Sequence, residues 1–304
     1  MKKINVITLF SGYDSQCLAL ERLKQNFPDF DYELIAWSEI DKYAIRAHNA
    51  LFPQWADRNL GDVSKIDWSQ VKEDIDLMTY SSPCQDFSNA GLQKGGEEGS
   101  GTRSSLLWEC RKAIVAKRPK YLMLENVKAL TSKKFLPLFN RWIKSLEDYG
   151  YYNNWQVLNA KDYGVPQNRE RVFLISIRRN LLAPNPIYHF PKPFKLEKRL
   201  KDVLEEKVDE KYYLSDKMIE GFNAHKQRME ERGNGFGWKP TEGGVQRNQS
   251  SHHLAHDPMT TTSLRVIQVG KVNNSQNGVV CDMQGIAPTH TGGHGNCPKI
   301  IDNG

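Results

Sequence analysis

One thiol stands out by its position. The stretch Tyr80-Ser81-Ser82-Pro83-Cys84-Gln85-Asp86-Phe87-Ser88 follows the apolar run Ile75-Asp76-Leu77-Met78-Thr79, which reads as a strand. Proline cannot continue a central ladder, so Pro83 marks the chain leaving the sheet, and Cys84 falls at a strand's carboxyl edge. A thiolate there could add to an electrophilic carbon and form a covalent intermediate. A cysteine beside a strand is also commonly buried and inert, so the stretch by itself leaves both roles open. The segment from Gly91 through Gly95-Gly96 and Gly99 to Gly101 follows, long and polar enough to act as a flap.

Other polar groups sit at the ends of apolar runs. Tyr121-Leu122-Met123-Leu124 leads straight into Glu125-Asn126-Val127, the pattern of a buried parallel strand with polar groups at its tip. Tyr163 to Arg171 carries Gln167-Asn168-Arg169-Glu170-Arg171, a turn whose arginine forks could hold a carboxylate or phosphate, or could simply be solvated. Ile4 to Leu9 ends in Phe10-Ser11-Gly12, a tight turn before a helix whose backbone N–H groups would point outward. Glu39 follows the run Tyr32 to Ser38, where dinucleotide folds grip ribose hydroxyls; capping of the next helix is the alternative role. Gly61-Asp62-Val63 places a further acid at a turn.

The elements that must position these groups alternate. Leu18, Leu20, Leu23 and Phe27 suggest a helical face that stops at Pro28, and Leu106, Leu107, Cys110, Ile114 and Val115 suggest a helix over Arg103 to Ala116. That makes Cys110 a core residue. A further helix runs from about Lys134 to Asp148, with strands at 155–160 and 171–177. Such alternation predicts an α/β fold with a doubly wound, mostly parallel sheet over residues 1–178. Pro184, Pro186, Pro191 and Pro193 then punctuate a linker, followed by a lysine-rich stretch near 195–222. Beyond Gly233 the chain is polar and glycine-rich, with strand-like pieces such as Leu264 to Val269. Residues 179–304 are expected to form a smaller, irregular region that leans on the first.

Bulk properties set the outer limits. The 304 residues carry a formal charge of +6, which permits a polyanionic partner. No stretch approaches membrane-spanning length and the first residues read as a strand, so the expectation is a cytoplasmic protein without a membrane partner. Five cysteines without a CxxC pair give no disulfide framework. His252, His253, His256, His290, His294, Cys281 and Cys297 lack the close ligand pairs of a zinc site, so no metal is expected.

Taken in order, these landmarks resemble the DNA (cytosine-5)-methyltransferases of bacteria and phages across residues 4–300. The signal is the ordered set Leu9-Phe10-Ser11-Gly12, Glu39, Gly61-Asp62-Val63, Pro83-Cys84-Gln85, Glu125-Asn126-Val127 and Gln167-Asn168-Arg169-Glu170-Arg171. The resemblance implies S-adenosyl-L-methionine as donor and duplex DNA as partner, with a sheet of the S-adenosylmethionine-dependent methyltransferase type and a target-recognition region at 179–304. It implies Cys84 as the nucleophile on cytosine C6, Glu125 at N3 and Arg169 at O2, with Asn126, Gln167 and Arg171 completing the catalytic set. Phe10, Ser11, Gly12, Glu39, Ile40, Asp62, Val63 and Pro83 would line the donor pocket. Gln85, Ser88, Arg103, Arg247 and Arg265 would contact DNA, alongside Asn248 and Gln249.

The sequence also departs from the family pattern. Tyr13-Asp14-Ser15 stand where glycines often follow Gly12, and Ser81-Ser82 stand in place of Gly-Phe. The Arg-x-Leu-Thr-x-Arg-Glu element and Gly-Asn-rich closing helix of the pattern do not follow Ile300. The corresponding expectation is one half of a split methyltransferase, or a truncated form, with a second polypeptide supplying the closing elements. Two other classes compete with it: a catalytically silent DNA-binding homologue and a methyltransferase for RNA or a small molecule.

Overall fold

The computed structural model describes residues 2–83, 96–183 and 188–204, single helical positions at 220, 224, 227, 228 and 231, and strands at 268–271, 279–282, 287–288 and 299–301. The chain divides into two compact units, Met1–Leu158 with Glu170–Pro191, and Asn159–Arg169 with Lys192–Gly304.

The first unit begins with β1 (Lys2–Leu9), α1 (Ser15–Asn26), β2 (Phe30–Ser38) and α2 (Lys42–Leu51). β3 (Leu77–Tyr80), α3 (Cys110–Lys117), β4 (Tyr121–Val127) and α4 (Leu136–Asp148) follow. β5 (Tyr151–Asn159) then leads into the short β6 (Gln167–Asn168), and β7 (Glu170–Arg178) returns to the first unit. Six strands make one sheet in the order β2-β1-β3-β4-β7-β5. The first four are parallel, and β7 enters antiparallel against β4. This is the mostly parallel, doubly wound sheet expected from the alternation of strands and helices.

Strand alternation divides the core between the two faces of the sheet. Val6 packs with Cys17 and Leu20 of α1, Tyr32 and Leu34 of β2, and Phe52 and Trp55 after α2. Ile7 and Leu9, one residue out of phase, join Met78, Tyr80, Leu122 and Leu124 against α3 and α4. On that second face the Trp142 indole donates to the Tyr80 hydroxyl at 3.2 Å and meets Trp108 edge-on at 5.4 Å. Dense aromatic packing of this kind resists truncation, because the cavity left behind cannot fully collapse.

Two helices differ from their sequence reading. In α1 the buried residues are Cys17 and Leu20, while Leu23 and Phe27 are exposed. The apolar positions lie around more of the helix than one face can bury. The stretch Arg103–Glu109 forms a 3₁₀ helix, and the α-helix proper starts at Cys110. Val115 is exposed there, whereas Cys110 and Ile114 are fully buried. The helix stops at Lys117 because Arg118 adopts a left-handed conformation, one residue ahead of Pro119.

In the second unit, the Ala160–Tyr163 turn ends at Gly164, whose φ of 85° suits glycine. A Cβ at Gly164 would also come within 3.3 Å of the Phe194 ring. β6 pairs in parallel with β10 (Ala287–Pro288). β9 (Val279–Asp282) pairs with β8 (Gln268–Lys271) and β11 (Lys299–Ile301). β8 covers only the end of the strand expected at 264–269. The histidine cluster and most of the stretch expected at 195–222 lie outside the described residues.

Burial pushes the thiols of Cys17 and Cys110 far above the ordinary cysteine value, so neither forms a useful thiolate near neutrality. Brief treatment of the folded protein with iodoacetamide at pH 8, mapped by peptide mass spectrometry, should leave both unlabelled. Denaturation should expose both.

Candidate active site

The register of the four parallel strands sets the site. Ser38, Leu9, Tyr80 and Leu124 lie side by side across β2, β1, β3 and β4. The next residue on each strand is Glu39, Phe10, Ser81 and Glu125, so the candidate groups of the first unit emerge along one carboxyl edge. Open α/β sheets bind ligands at this edge because side chains and backbone termini are free of the ladder there. β7 runs the other way and begins where β4 ends, pairing Arg171 with Val127.

The loop after β1 is tightly wound. Phe10, Gly12 and Asp14 all have positive φ, at 54°, 59° and 64°. Ser11, nearly buried, donates through both its N–H and its hydroxyl to the Ser38 carbonyl at 3.2 Å. The Gly12 N–H donates to Glu39 Oε2 at 2.9 Å, and the N–H groups of Ile40 and Asp41 donate to Oε1 at 2.8 Å each. A carboxylate has about four lone-pair sites, so one remains on Oε2 for a further donor. The residue that caps α2 is Asp41, which accepts from the N–H groups of Tyr43 and Ala44.

Asn59 holds the backbone of Glu39 from both sides. Its Oδ1 accepts from the N–H groups of Glu39 and Gly61, and its Nδ2 donates to the Glu39 carbonyl at 3.1 Å. Asp62 caps the turn Val63–Lys65 by accepting from the Ser64 N–H and hydroxyl. Those bonds hold its carboxyl below the usual value, so it is ionised at neutral pH. Val63 is core, and Ile40 is 66% exposed beside Glu39.

At the other end of the edge, Pro83 is half-buried, and Cys84, Gln85 and Ser88 lie outside the described residues. Asn126 is buried, and its Nδ2 donates to the carbonyl and hydroxyl of Ser82 at 3.2 and 3.3 Å. Its Oδ1 accepts from the Val127 N–H at 2.9 Å, so this buried amide ties β4 to the segment that carries Cys84. Glu125 Oε1 lies 3.1 Å from Arg171 Nε, both side chains being mostly buried. Arg171 also donates to the Glu170 carbonyl, and Lys128 bridges to Glu170 at 2.8 Å.

Gln167 and Arg169 belong to the second unit. There the Arg169 N–H donates to Asn159 Oδ1 at 3.1 Å, and Asn159 Nδ2 donates to Asn168 at 2.7 Å. Of the expected flap, residues 96–101 are described. The Gly96 carbonyl accepts from the Trp108 indole at 2.9 Å, and Glu97 and Glu98 pair with Arg141 and Arg111. Arg103 opens the 3₁₀ helix, whereas Arg247 and Arg265 lie outside the described residues. Among the described residues no cluster of three metal-ligating side chains forms, and no helix is long and apolar enough to cross a membrane.

Sequence reasoning gave no site role to Asn59, Asn159, Ser82 and Asp14, which brace the loops through backbone and side-chain hydrogen bonds. An Asn two residues before a glycine turn is a signal for such clamping, but it is common enough to be passed over.

Comparison with known proteins identifies the family. The model of the family C-5 cytosine-specific DNA methylase matches residues 4–291. Type II methyltransferase M2.ScrFI of Lactococcus lactis subsp. cremoris is 39% identical over 267 residues, covering 71% of this chain and 71% of that protein. Orphan methyltransferase M.SPRI of Bacillus phage SPR is 32% identical over 329 residues, covering 99% of this chain and 66% of the phage protein. A mutant DNMT2 of Spodoptera frugiperda shares the fold, with a TM-score of 0.56 at 22% identity over 72% of this chain and 65% of that one. The chain thus spans about two thirds of the phage relative and of the solved structure. With the family match running from the first strand well into the second unit, this chain belongs to the C-5 cytosine-specific DNA methylases.

Proposed function

We propose that this chain transfers a methyl group from S-adenosylmethionine to C5 of cytosine in duplex DNA, through a covalent cysteine adduct on a base turned out of the helix. The observation that supports it most is the Glu125–Arg171 pair at the same sheet edge as the Phe10–Gly12 loop and Glu39. One end of that edge suits a donor and the other suits a polar ring.

The residues at the donor end fit the group. Glu39 keeps a lone-pair site on Oε2 for a ribose hydroxyl, and exposed Ile40 offers an apolar face to an adenine ring. Asp62, ionised, can accept from the adenine amino group. The bound donor would supply an electrophilic methyl group on a sulfonium.

At the other end, the Cys84 thiolate adds to cytosine C6, and the electron pair displaced from the C5–C6 bond makes C5 nucleophilic. Charge then develops toward N3 and O2, where proton donation from the Glu125 carboxyl to N3 and hydrogen bonds from a guanidinium to O2 would stabilise it. Arg171 is the better candidate for that guanidinium within the first unit, since its fork already orients the Glu125 carboxylate. After methylation a water molecule takes the C5 proton, the C5–C6 double bond re-forms and the C6–sulfur bond breaks to expel the Cys84 thiolate. Reaching C6 and C5 requires the base to leave the stack, at a cost of a few kcal/mol. The Asn126–Ser82 contact would fix the strand end from which Cys84 projects.

Labelled donor incubated with mixed-sequence duplex DNA should place label on cytosine C5. Cys84→Ala should reduce transfer on the order of 10³-fold or more while duplex binding survives. Label on another base, or undiminished transfer by the variant, would overturn the reading; transfer to RNA in preference to duplex DNA would change the substrate class. Glu125→Gln and Arg171→Leu should each lower kcat by about 10²- to 10³-fold in single-turnover assays, with little change in donor affinity. Asn59→Ala, which frees the Glu39 backbone, should weaken donor binding about 5- to 10-fold by titration calorimetry, the equivalent of one or two hydrogen bonds.

A further inference from the structure

Beneath the Phe10–Asp14 loop lies a buried acid that no catalytic step uses. Asp14 has no exposed surface and a left-handed backbone at φ 64°, ψ 60°. Its Oδ2 accepts from the Thr8 hydroxyl of β1 at 2.7 Å, and its Oδ1 accepts from the Cys17 N–H in the first turn of α1 at 3.2 Å. Its own N–H closes the turn onto the Ser11 carbonyl at 2.8 Å. Oδ2 also lies 3.7 Å from Nε2 of His48, a residue of α2 with no exposed surface.

His48 is boxed in. Its ring stacks on Trp37 with centroids 3.7 Å apart, and Phe52 lies at 5.3 Å. Nδ1 approaches Asn49 at 3.4 Å, and Nε2 makes no hydrogen bond among the described residues. A buried imidazole nitrogen without a hydrogen bond is costly unless an opposite charge or a shared proton faces it. Asp14 Oδ2 is the polar atom that faces it, at 3.7 Å and beyond hydrogen-bond reach.

The two segments that would hold the donor are therefore tied at two heights. On the outer side the Gly12 N–H meets the Glu39 carboxylate. On the inner side Asp14 lies 3.7 Å from His48, a packed contact without a hydrogen bond, nine residues after Glu39 and on the helix that follows it. The Ser11 bonds to the Ser38 carbonyl and the Gly12 bond to Glu39 hold the mouth of the loop, and Asp14 fixes its far end against β1, α1 and the His48 ring.

We propose that Asp14 is a positioning residue for the methyl donor: its buried carboxyl, bonded to Thr8 and the start of α1 and packed against His48, holds the loop in the shape that sets the spacing between the Ser11-Gly12 backbone and Glu39. This rests on the methyl-transfer reading and extends it to a residue that does not touch the donor. Glycine at position 14 accepts the left-handed backbone without strain but removes every side-chain tie. Asparagine tolerates the same backbone, keeps an oxygen for the Cys17 N–H, and places an NH2 donor opposite the Thr8 hydroxyl, which can turn to accept.

The test compares Asp14→Gly, Asp14→Asn and Thr8→Val by titration calorimetry with S-adenosylmethionine and by steady-state methyl transfer. Asp14→Gly should weaken donor binding about 10-fold or more, with most of the loss falling on donor KM rather than kcat and with duplex affinity unchanged. Asp14→Asn should recover most of that loss, and Thr8→Val should weaken donor binding about 5-fold, the equivalent of one hydrogen bond. Parent-like donor binding in both Asp14→Gly and Thr8→Val overturns the proposal. So does a parallel fall in donor and duplex affinity, which is the mark of general destabilisation. A parent protein that binds no donor at all overturns the methyl-transfer reading instead, and this inference with it.

Discussion

The constraint on which the rest depends is the common register of β2, β1, β3 and β4. Ladder hydrogen bonds hold Ser38, Leu9, Tyr80 and Leu124 in one row, so residues far apart in the chain end at one level. A one-residue slip in any strand would turn its core side chains to the wrong face, and burial on both faces forbids it. Strands buried on both sides are thus a rigid ruler, and loops of a few residues suffice to present Glu39, the Phe10–Gly12 turn and Glu125 together. The antiparallel β7 adds Arg171 from the opposite direction, which a parallel strand at that place would not do.

Rigidity there is obtained against local strain. Phe10 is a bulky residue in the left-handed region, a conformation that costs about 1–2 kcal/mol, and Asp14 shares it at a smaller cost. The loop keeps this shape because each turn of backbone is fastened: Ser11 to Ser38, Gly12 to Glu39, Asp14 to Ser11, and Leu18 to Asp14. Asn59 and Asn126 perform the same service at Glu39 and Ser82, each using an amide that donates and accepts at once. The aromatic cluster of Trp37, His48, Phe52 and Trp55 forms the floor under this fastening.

Much of this was legible in the sequence because periodicity and edge motifs report burial directly. The apolar runs at 4–9, 32–38 and 121–124 became strands of the one sheet, and Cys110 became core. Less legible was anything decided by the third dimension. Leu23 and Phe27 looked like a buried face yet are exposed, while Cys17, Leu18 and Leu20 are the α1 side chains that pack on the core. The pairing of Glu125 with Arg171 could not be read either. It depends on β7 running antiparallel to β4, and strand direction leaves little trace in composition. Asp14 looked like a break in a glycine pattern, and its partners Thr8 and His48 lie 6 and 34 residues away in the chain.

The strand order has a temporal side as well. β7 lies between β4 and β5 although it is the last of the three in the chain, so β5 has no completed neighbour until β7 arrives. During synthesis, the row from β2 to β4 can assemble first, and contacts among near neighbours in sequence favour early formation. The loop after β1, Glu39 and Asn59 belong to that early nucleus. Glu125 waits for Arg171, some 46 residues further along, to leave the ribosome. A nascent chain would thus form the pocket proposed for the donor before Arg171, the partner of Glu125, has been made. Any ligand that occupies the early pocket would act as a folding template, favouring the compact half while the remaining strands are still being made.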